Sequence, residues 1–533
     1  MRPLCEAGIV YILGFARRRL KPPLGTAAEA ARAVTSLQRH RRAASSLAGA
    51  MLLLAAPLPA QCPDGTPPPC GRAAAPRASN PRSVGVLYFD NLSRDSSDVL
   101  LADGLTDELI TRLGQVARLE VRSRFESQRL RGQRSGDPRA MGRMLHAAFL
   151  VTGSLQQVGT RVRVNVALVR AQDGAQVWGD VYDRAGDILS IQAEIAREVA
   201  RAITGRLLPQ EQASLARLPT RDPVAYDLYL RGVGAANTFS EAGVRAGLDY
   251  FDRAIARDSG FAAAYLQRSL AWGVLADGYI EGRVGYARAR EGAERALRLD
   301  SSLAEAQAMI AATTLSLDAD VVRARLEARR ALRLDPKSWI SHLVLSWAAF
   351  LSGNGADTGL VEARLGWEAD TLSAVSAWNY VMTLAVLRRT DAIAAVLPRM
   401  ENVLAPEDLR VFDGVVRLER GDTAAAERLS WSYYGGVVAA EYVRAQLVLG
   451  RRDLARAAVD SMVALSRGGY YNAFSVARAF AALGDADNAF VWLDRAWDQR
   501  TNFVVFTRDF AEFASLHGDP RWAAFFRRMG VTP

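Results

Sequence analysis

The hexapeptide Arg295-Ala-Leu-Arg-Leu-Asp300 returns letter for letter as Arg330-Ala-Leu-Arg-Leu-Asp335, displaced by 35 residues. That period is too long for a heptad and too short for a domain. It fits a helical hairpin that buries its apolar face only by stacking on copies of itself. Looser copies, Arg253-Ala-Ile-Ala-Arg-Asp258 and Asp494-Arg-Ala-Trp-Asp498, extend the periodic region over most of the second half. Gly421, Gly450 and Gly484 are each followed five residues later by an alanine, Ala426, Ala455 and Ala489. The glycines suit the left-handed turn between two helices, and the alanines suit close helix packing. Asp422, Asp453 and Asp485 stand where a second helix begins, and there an acidic side chain accepts orphan backbone N–H bonds. Ala296 and Ala331 are expected between helices, Leu299 and Leu334 in the interior, and Asp300 and Asp335 at the closing turn. The pattern predicts an all-α solenoid over 222–533.

These residues resemble the tetratricopeptide repeat family. From Tyr470 to Arg500, the residues Ala477, Phe480, Gly484, Ala489, Leu493 and Ala496 fall on its pattern, and Ala312, Ala324, Ala331 and Pro336 do so in the unit ending at Asp335. Ser259 and Ser301 stand where the family has proline, and the stretch from Ser338 to Leu404 departs furthest. The resemblance implies about seven or eight stacked units in a superhelix. Its concave face, lined by the first helix of each pair, would receive a protein or peptide partner. In the carboxyl-terminal unit that face falls on Tyr471, Phe474 and Arg478. Trp339, Trp347, Trp367, Trp378, Trp431, Trp492 and Trp497 are expected to fill gaps between hairpins. Asp519 to Met529 reads as a capping helix.

The pattern changes at Ser83. Ser83 to Phe89 is a short apolar strand, and Val99 to Val116 carries Leu101, Leu105, Leu109 and Leu113 at helical intervals. Leu119 to Arg122 reads as a strand and Pro138 to Leu145 as a helix. Three further strands, Phe149 to Gln156, Arg161 to Arg170 and Gln176 to Tyr182, are joined at Gly159-Thr160 and Asp173-Gly174. Leu189 to Leu208 closes the unit as an amphipathic helix. The sequence thus predicts an α/β mixed-sheet domain at 83–208 followed by an all-α tetratricopeptide-type superhelical solenoid. The motifs Val84-Gly-Val-Leu-Tyr-Phe-Asp-Asn-Leu-Ser93, Ala102-Asp-Gly-Leu-Thr-Asp-Glu-Leu109, Val151-Thr-Gly-Ser154, Gly174-Ala-Gln-Val-Trp178 and Ile191-Gln-Ala-Glu-Ile195 resemble the TolB-like amino-terminal domain family. That resemblance implies an interaction or assembly domain.

Charge is uneven along the chain. Of the formal +10, residues 1–60 hold +7 (nine basic, two acidic), which leaves +3 for the rest (58 basic, 55 acidic). A nearly balanced body gives no broad phosphate-binding footprint, so nucleic acid is not an expected partner. Arg39-His-Arg-Arg42 precedes an apolar run from Leu47 to Ala60 that is too short and too interrupted by Pro57 and Pro59 to span a bilayer comfortably. This is the pattern of a secretory signal peptide with an unusual upstream extension, and a start at Val34 would leave an ordinary signal. Residues 61–82 form a Pro/Ala-rich linker, and Cys62 and Cys70 are placed for a disulfide in an oxidising compartment. The expected location is periplasmic or secreted. Membrane contact follows only if the leader is retained as an inner-membrane anchor.

No constellation demands catalysis. His40, His146, His342 and His517 have no Cys or His partner at ligand spacing. No glycine-rich phosphate loop with a lysine is present, and Ser93 and Ser154 lack a nucleophile elbow. Asp90, Asp103, Asp107 and Glu108 offer oxygen ligands, but their places at a strand end and in a helix's opening turns favour structural use. The sequence therefore predicts no metal, no cofactor and no enzyme, and an exported non-enzymatic protein–protein interaction scaffold. The alternative is a membrane-anchored signalling or transcription-regulating sensor subunit.

Overall fold

The computed structural model describes residues 80–532 apart from 425–438 and shorter breaks of one to four residues. The leader, residues 61–79 of the linker, with Cys62 and Cys70, and Ala426 and Trp431 lie outside the described residues.

The first part is a mixed sheet in the order β3-β1-β4-β5-β6, with β2 also on β4. Its strands are β1 (Ser83–Val86), β2 (Asp90–Asn91), β3 (Glu120–Val121), β4 (Phe149–Val158), β5 (Arg161–Arg170) and β6 (Gln176–Ala185). β1 runs parallel to β3 and β4, whereas β4, β5 and β6 form an antiparallel meander. Gly159 and Gly174 adopt φ of +60° and +76° at the two hairpin turns. Along β5 the side chains alternate, with Val162, Val164, Val166 and Leu168 buried and their neighbours wetter. That period of two puts one face on the core. Packed on it are α1 (Asp98–Gly114) and α4 (Ile188–Thr204). Two shorter helices, α2 (Arg124–Arg129) and α3 (Pro138–Met144), and then α5 (Pro209–Ala216) complete this part. Of these, α2 and α5 have no counterpart in the sequence reading.

Tetratricopeptide-like helical hairpins follow. They are α6 (Pro223–Ala236) with α7 (Glu241–Arg257), α8 (Ala262–Gly278) with α9 (Gly282–Leu299), α10 (Ala304–Asp318) with α11 (Val321–Leu334), α12 (Trp339–Leu351) with α13 (Ala356–Ala369), and α14 (Ala374–Val386) with α15 (Thr390–Met400). After α16 (Pro406–Glu419) come the pairs Ala439–Val448 with Arg452–Arg467 and Ala473–Leu483 with Ala486–Gln499. The weakly patterned stretch after Ser338 is thus as regularly paired as the rest.

The turn chemistry follows the expected logic. Gly421, Gly450 and Gly484 all take positive φ, between +72° and +79°. Asp485 caps the next helix by accepting from Asn488 N at 3.2 Å. Asp300 and Asp335 close their helices and accept from Ser302 N at 2.9 Å and Lys337 N at 3.0 Å. Ala296 and Ala331 are fully buried. The leucines of the same hexapeptide depart from expectation: Leu334 is 48% exposed and Leu299 only part-buried, because the stacking stripe runs through the alanines and leaves these positions at the rim. Trp347, Trp367, Trp378, Trp492 and Trp497 are buried, as gap-filling requires, and Trp339 is part-buried.

Candidate functional site

Two places bring chemistry together: the face formed by the first helices of the hairpins, and the joint between the helical array and the α/β part. At the first, the sequence placed a partner-binding face on Tyr471, Phe474 and Arg478. These three share one face of the Ala473–Leu483 helix or its entry, but all are buried, at 3%, 0% and 1% exposure. An open partner surface at those residues is therefore corrected. The chain itself covers them, through the segment that leaves the last hairpin, which forms the short 3-10 helices Asn502–Phe506 and Ala511–Leu516. The Phe474 ring lies 5.5 Å from Phe510 and 5.7 Å from Phe513.

Arg478 sits between Glu441 and Glu512, at 2.5 and 2.6 Å, with its guanidinium 3.9 Å from the Phe510 ring centroid. Arg444 ties Glu441 at 2.8 Å and also pairs with Glu419. Burial pushes the Glu441 carboxyl up, and Arg444 and Arg478 more than offset it and hold it below the usual range. The network satisfies charges inside the protein, where an unpaired one is expensive.

The covering segment continues along the first helices of the hairpins. Phe503 packs 5.7 Å from Trp378 and 6.1 Å from Trp347, and Phe506 packs 4.8 Å from Phe350. Arg508 donates to Leu351 O at 2.8 Å, and Arg500 to Leu317 O at 2.9 Å. Asp277, at the end of α8, lies against Tyr286 and Asn502, and burial pushes its carboxyl up to about 7. The helices reached, α8, α10, α12, α14 and Ala473–Leu483, are the first members of their hairpins. Sequence reasoning had placed the partner face on these first helices, where the chain itself packs. It missed the occupant, because Asn502 to Leu516 carries no helix-length period of its own.

At the joint, α1 lies across α6. A Cβ on Gly104 would lie 2.8 Å from Leu230 Cα and overlap that residue's carbonyl, and one on Gly234 would lie 3.0 Å from Leu100 Cα. The two glycines let the backbones touch. Asp107 accepts from the Tyr88 hydroxyl at 2.7 Å and from the Asn237 amide. Glu108 accepts from the Tyr229 hydroxyl at 3.0 Å, and Arg231 donates to Asp98 at 2.9 Å. Asp103 pairs with Arg131 at 2.5 Å, and burial pushes its carboxyl up to about 6 against that pull. Burial likewise raises Asp107 and Glu108. These acids lie in the body of α1, not in its opening turn, since the helix begins at Asp98. Asp90 is exposed and stands apart. Their partners are Tyr, Asn and Arg, and among the described residues no group of His, Cys, Asp and Glu is arranged to hold a metal. One apolar core runs through the joint from Val84 and Leu105 to Tyr229, Phe251 and Phe261.

A crevice of about 540 Å³ beside Arg452, Arg456 and Asp485 is lined by groups already engaged, since Arg452 donates to Leu483 O at 2.6 Å and Arg456 pairs with Asp485 at 3.6 Å. No helix among the described residues is long and apolar enough to cross a membrane.

Comparison with known proteins adds one informative match. Over 205 residues the chain is 30% identical to the protein named "Putative adenylate cyclase 3" of Rhizobium meliloti (strain 1021), which is 38% of this chain and 35% of that protein. The chain thus spans about a third of that relative's length. The expectation of an exported non-enzymatic interaction scaffold is overturned by this match, because the relative sharing that sequence bears an enzyme's name.

No family model matches. Among solved structures, a PelC dodecamer from Paraburkholderia phytofirmans is 16% identical with a TM-score of 0.18, covering 23% of this chain and 88% of that one. The lipoprotein GNA1162 from Neisseria meningitidis is 15% identical with a TM-score of 0.18, covering 23% and 99%. YrrB, described as a TPR protein with an unusual peptide-binding site, is 18% identical with a TM-score of 0.23, covering 40% and 93%. All three scores lie below 0.5, so these likenesses carry no argument for this chain.

Proposed function

We propose that the chain is a recognition and relay component of a nucleotide-signalling system, in which the helical array takes a protein or peptide partner and the α/β part reports its occupancy. The observation that carries this reading is the joint. A core shared by β1, α1, α6 and α8 ties the part that would bind to the part that would respond. A displacement of α6 on partner binding must be met by α1, because the two backbones touch at Gly104 and Gly234 and packed interiors do not deform continuously. The signalling context rests on the 205 residues shared with the cyclase-named relative. The reading includes a TolB-like fold for the α/β part and a superhelical course for the array. It also includes a location at the cell envelope, which rests on Arg39 to Arg42 and the apolar run to Ala60.

The test is cellular cyclic AMP in a deletion strain complemented with the wild-type chain or with a Tyr229→Phe, Asn237→Ala variant whose folding is checked by circular dichroism. We expect deletion to shift the level by about fivefold, the low end of ordinary coupling factors, and the joint variant to behave as the deletion does. An unchanged level on deletion sinks the signalling reading. Full rescue by the folded joint variant sinks the relay.

A further inference from the structure

Three large apolar side chains of α11, Val322, Leu326 and Leu334, are left in solvent at 80%, 47% and 48% exposure. Arg323, Arg329, Arg330 and Arg333 stand exposed among them. The helix buries its other side through Ala324, Glu327, Ala328 and Ala331, and it packs against α10 and α12. At 3.6 residues per turn the exposed set spans about 140° of the helix surface. Around that arc arginines and apolar residues interleave, in place of an apolar groove with a charged rim.

Little negative charge answers the arginines. Glu327 is buried and takes Arg330 at 2.9 Å. Asp320 and Asp335 lie at the two ends of the helix, where they accept from Arg323 N at 2.9 Å and Lys337 N at 3.0 Å. Arg323, Arg329, Arg333 and the exposed Lys337 form no side-chain ion pair among the described residues. Residues 320–337 hold six basic and three acidic side chains, a net +3 that equals the net charge of all of 61–533. On the second helices to either side the arginines are matched: Arg288 pairs with Glu291 at 3.3 Å on α9, and Arg364 with Glu368 at 3.8 Å on α13.

The excess of cations calls for an anionic surface, and the interleaving selects its kind. A protein partner gains most from a few anchors seated in pockets, and this face offers ridges. A phospholipid headgroup layer takes both kinds of side chain next to each other. Guanidinium forks match phosphate oxygens, their aliphatic stems lie along the apolar residues, and short aliphatic side chains reach the acyl boundary.

We propose that the solvent face of α11 docks on an anionic phospholipid bilayer, with Arg323, Arg329, Arg333 and Lys337 on lipid phosphates and Val322 and Leu326 at the acyl boundary. Each such cation strengthens attachment about fivefold, so the docking is modest and reversible. It depends on no step of the proposed relay.

The test is hydroxyl-radical oxidation of the full chain with vesicles of phosphatidylglycerol and phosphatidylcholine in equal parts, or of phosphatidylcholine alone. Oxidation read at Val322 and Leu326 separates this face from residues 1–60, whose +7 also attracts the bilayer. Both side chains should be protected by the mixed vesicles and not by the neutral ones. At a fixed lipid concentration the ratio of protected to unprotected chain should fall about fivefold in Arg329→Gln, and about a hundredfold in Arg323→Gln, Arg329→Gln, Arg333→Gln. These positions are exposed, and circular dichroism checks that the variants fold. Arg245→Gln, on α7, makes the same change in net charge away from this face and should leave the ratio as it is. An equal loss in Arg245→Gln, equal protection by neutral vesicles, or no protection by either overturns the proposal. Protection by poly-glutamate with none from the vesicles assigns the face to an acidic protein and overturns it as well.

Discussion

Arg478 shows how a residue assigned to an open surface can prove to be inside the protein. Its position on the first helix of a hairpin is legible from the repeat. Its burial is not, because Glu441 lies 37 residues before it and Glu512 lies 34 residues after it, and only the folded chain joins them. With both carboxylates inside the protein, removing the guanidinium leaves charge uncompensated. Arg478→Ala is expected to destabilise the protein by about 3 kcal/mol or more, as breaking a buried pair does. The midpoint of urea unfolding measures it. A loss under about 1 kcal/mol would mean that Arg444 alone neutralises the pair. The acids of α1 teach the same lesson from the other side. Asp107 and Glu108 read as helix-start residues in the sequence, but Tyr88, Asn237 and Tyr229 recruit them for the joint.

At the scale of elements, periodicity succeeded wherever a segment carried its own signal. The alternation in Arg161 to Arg170 gave β5 with its bounds, and the glycine and aspartate turns of the carboxyl-terminal hairpins stand where expected. Between Ser338 and Leu404 the apolar content of α12 and α14 is nearly all round, so no stripe stood out, and only burial on several sides explains it. Gly104, a poor helix former in the body of α1, is the reason that α1 and α6 can cross at backbone contact. Gly104→Ala is a sharp test, since helix propensity alone would stabilise by about 1 kcal/mol. The added methyl has no room because the obstacle is the Leu230 backbone, so overpacking should prevail and the variant should lose about 2 kcal/mol net. Thermal unfolding monitored by circular dichroism reads the sign. A stabilised variant contradicts the crossing.

For the whole molecule, the sequence drew a boundary between an α/β domain ending at 208 and an array beginning at 222. The structure gives the two parts one core across that boundary, with α6 belonging to both. That continuity was not legible, because the contacts join residues such as Glu108 and Tyr229 that are distant in the chain and carry no shared motif. Under the proposed relay, that shared core is what would couple the array to the α/β part. The most direct test is native-state hydrogen exchange across the joint in increasing denaturant. The account predicts that amides of α1 and α6 lose protection together, in one cooperative unit. If α6 opens with the later hairpins while α1 stays protected with the sheet, the joint is not a joint and the relay is wrong.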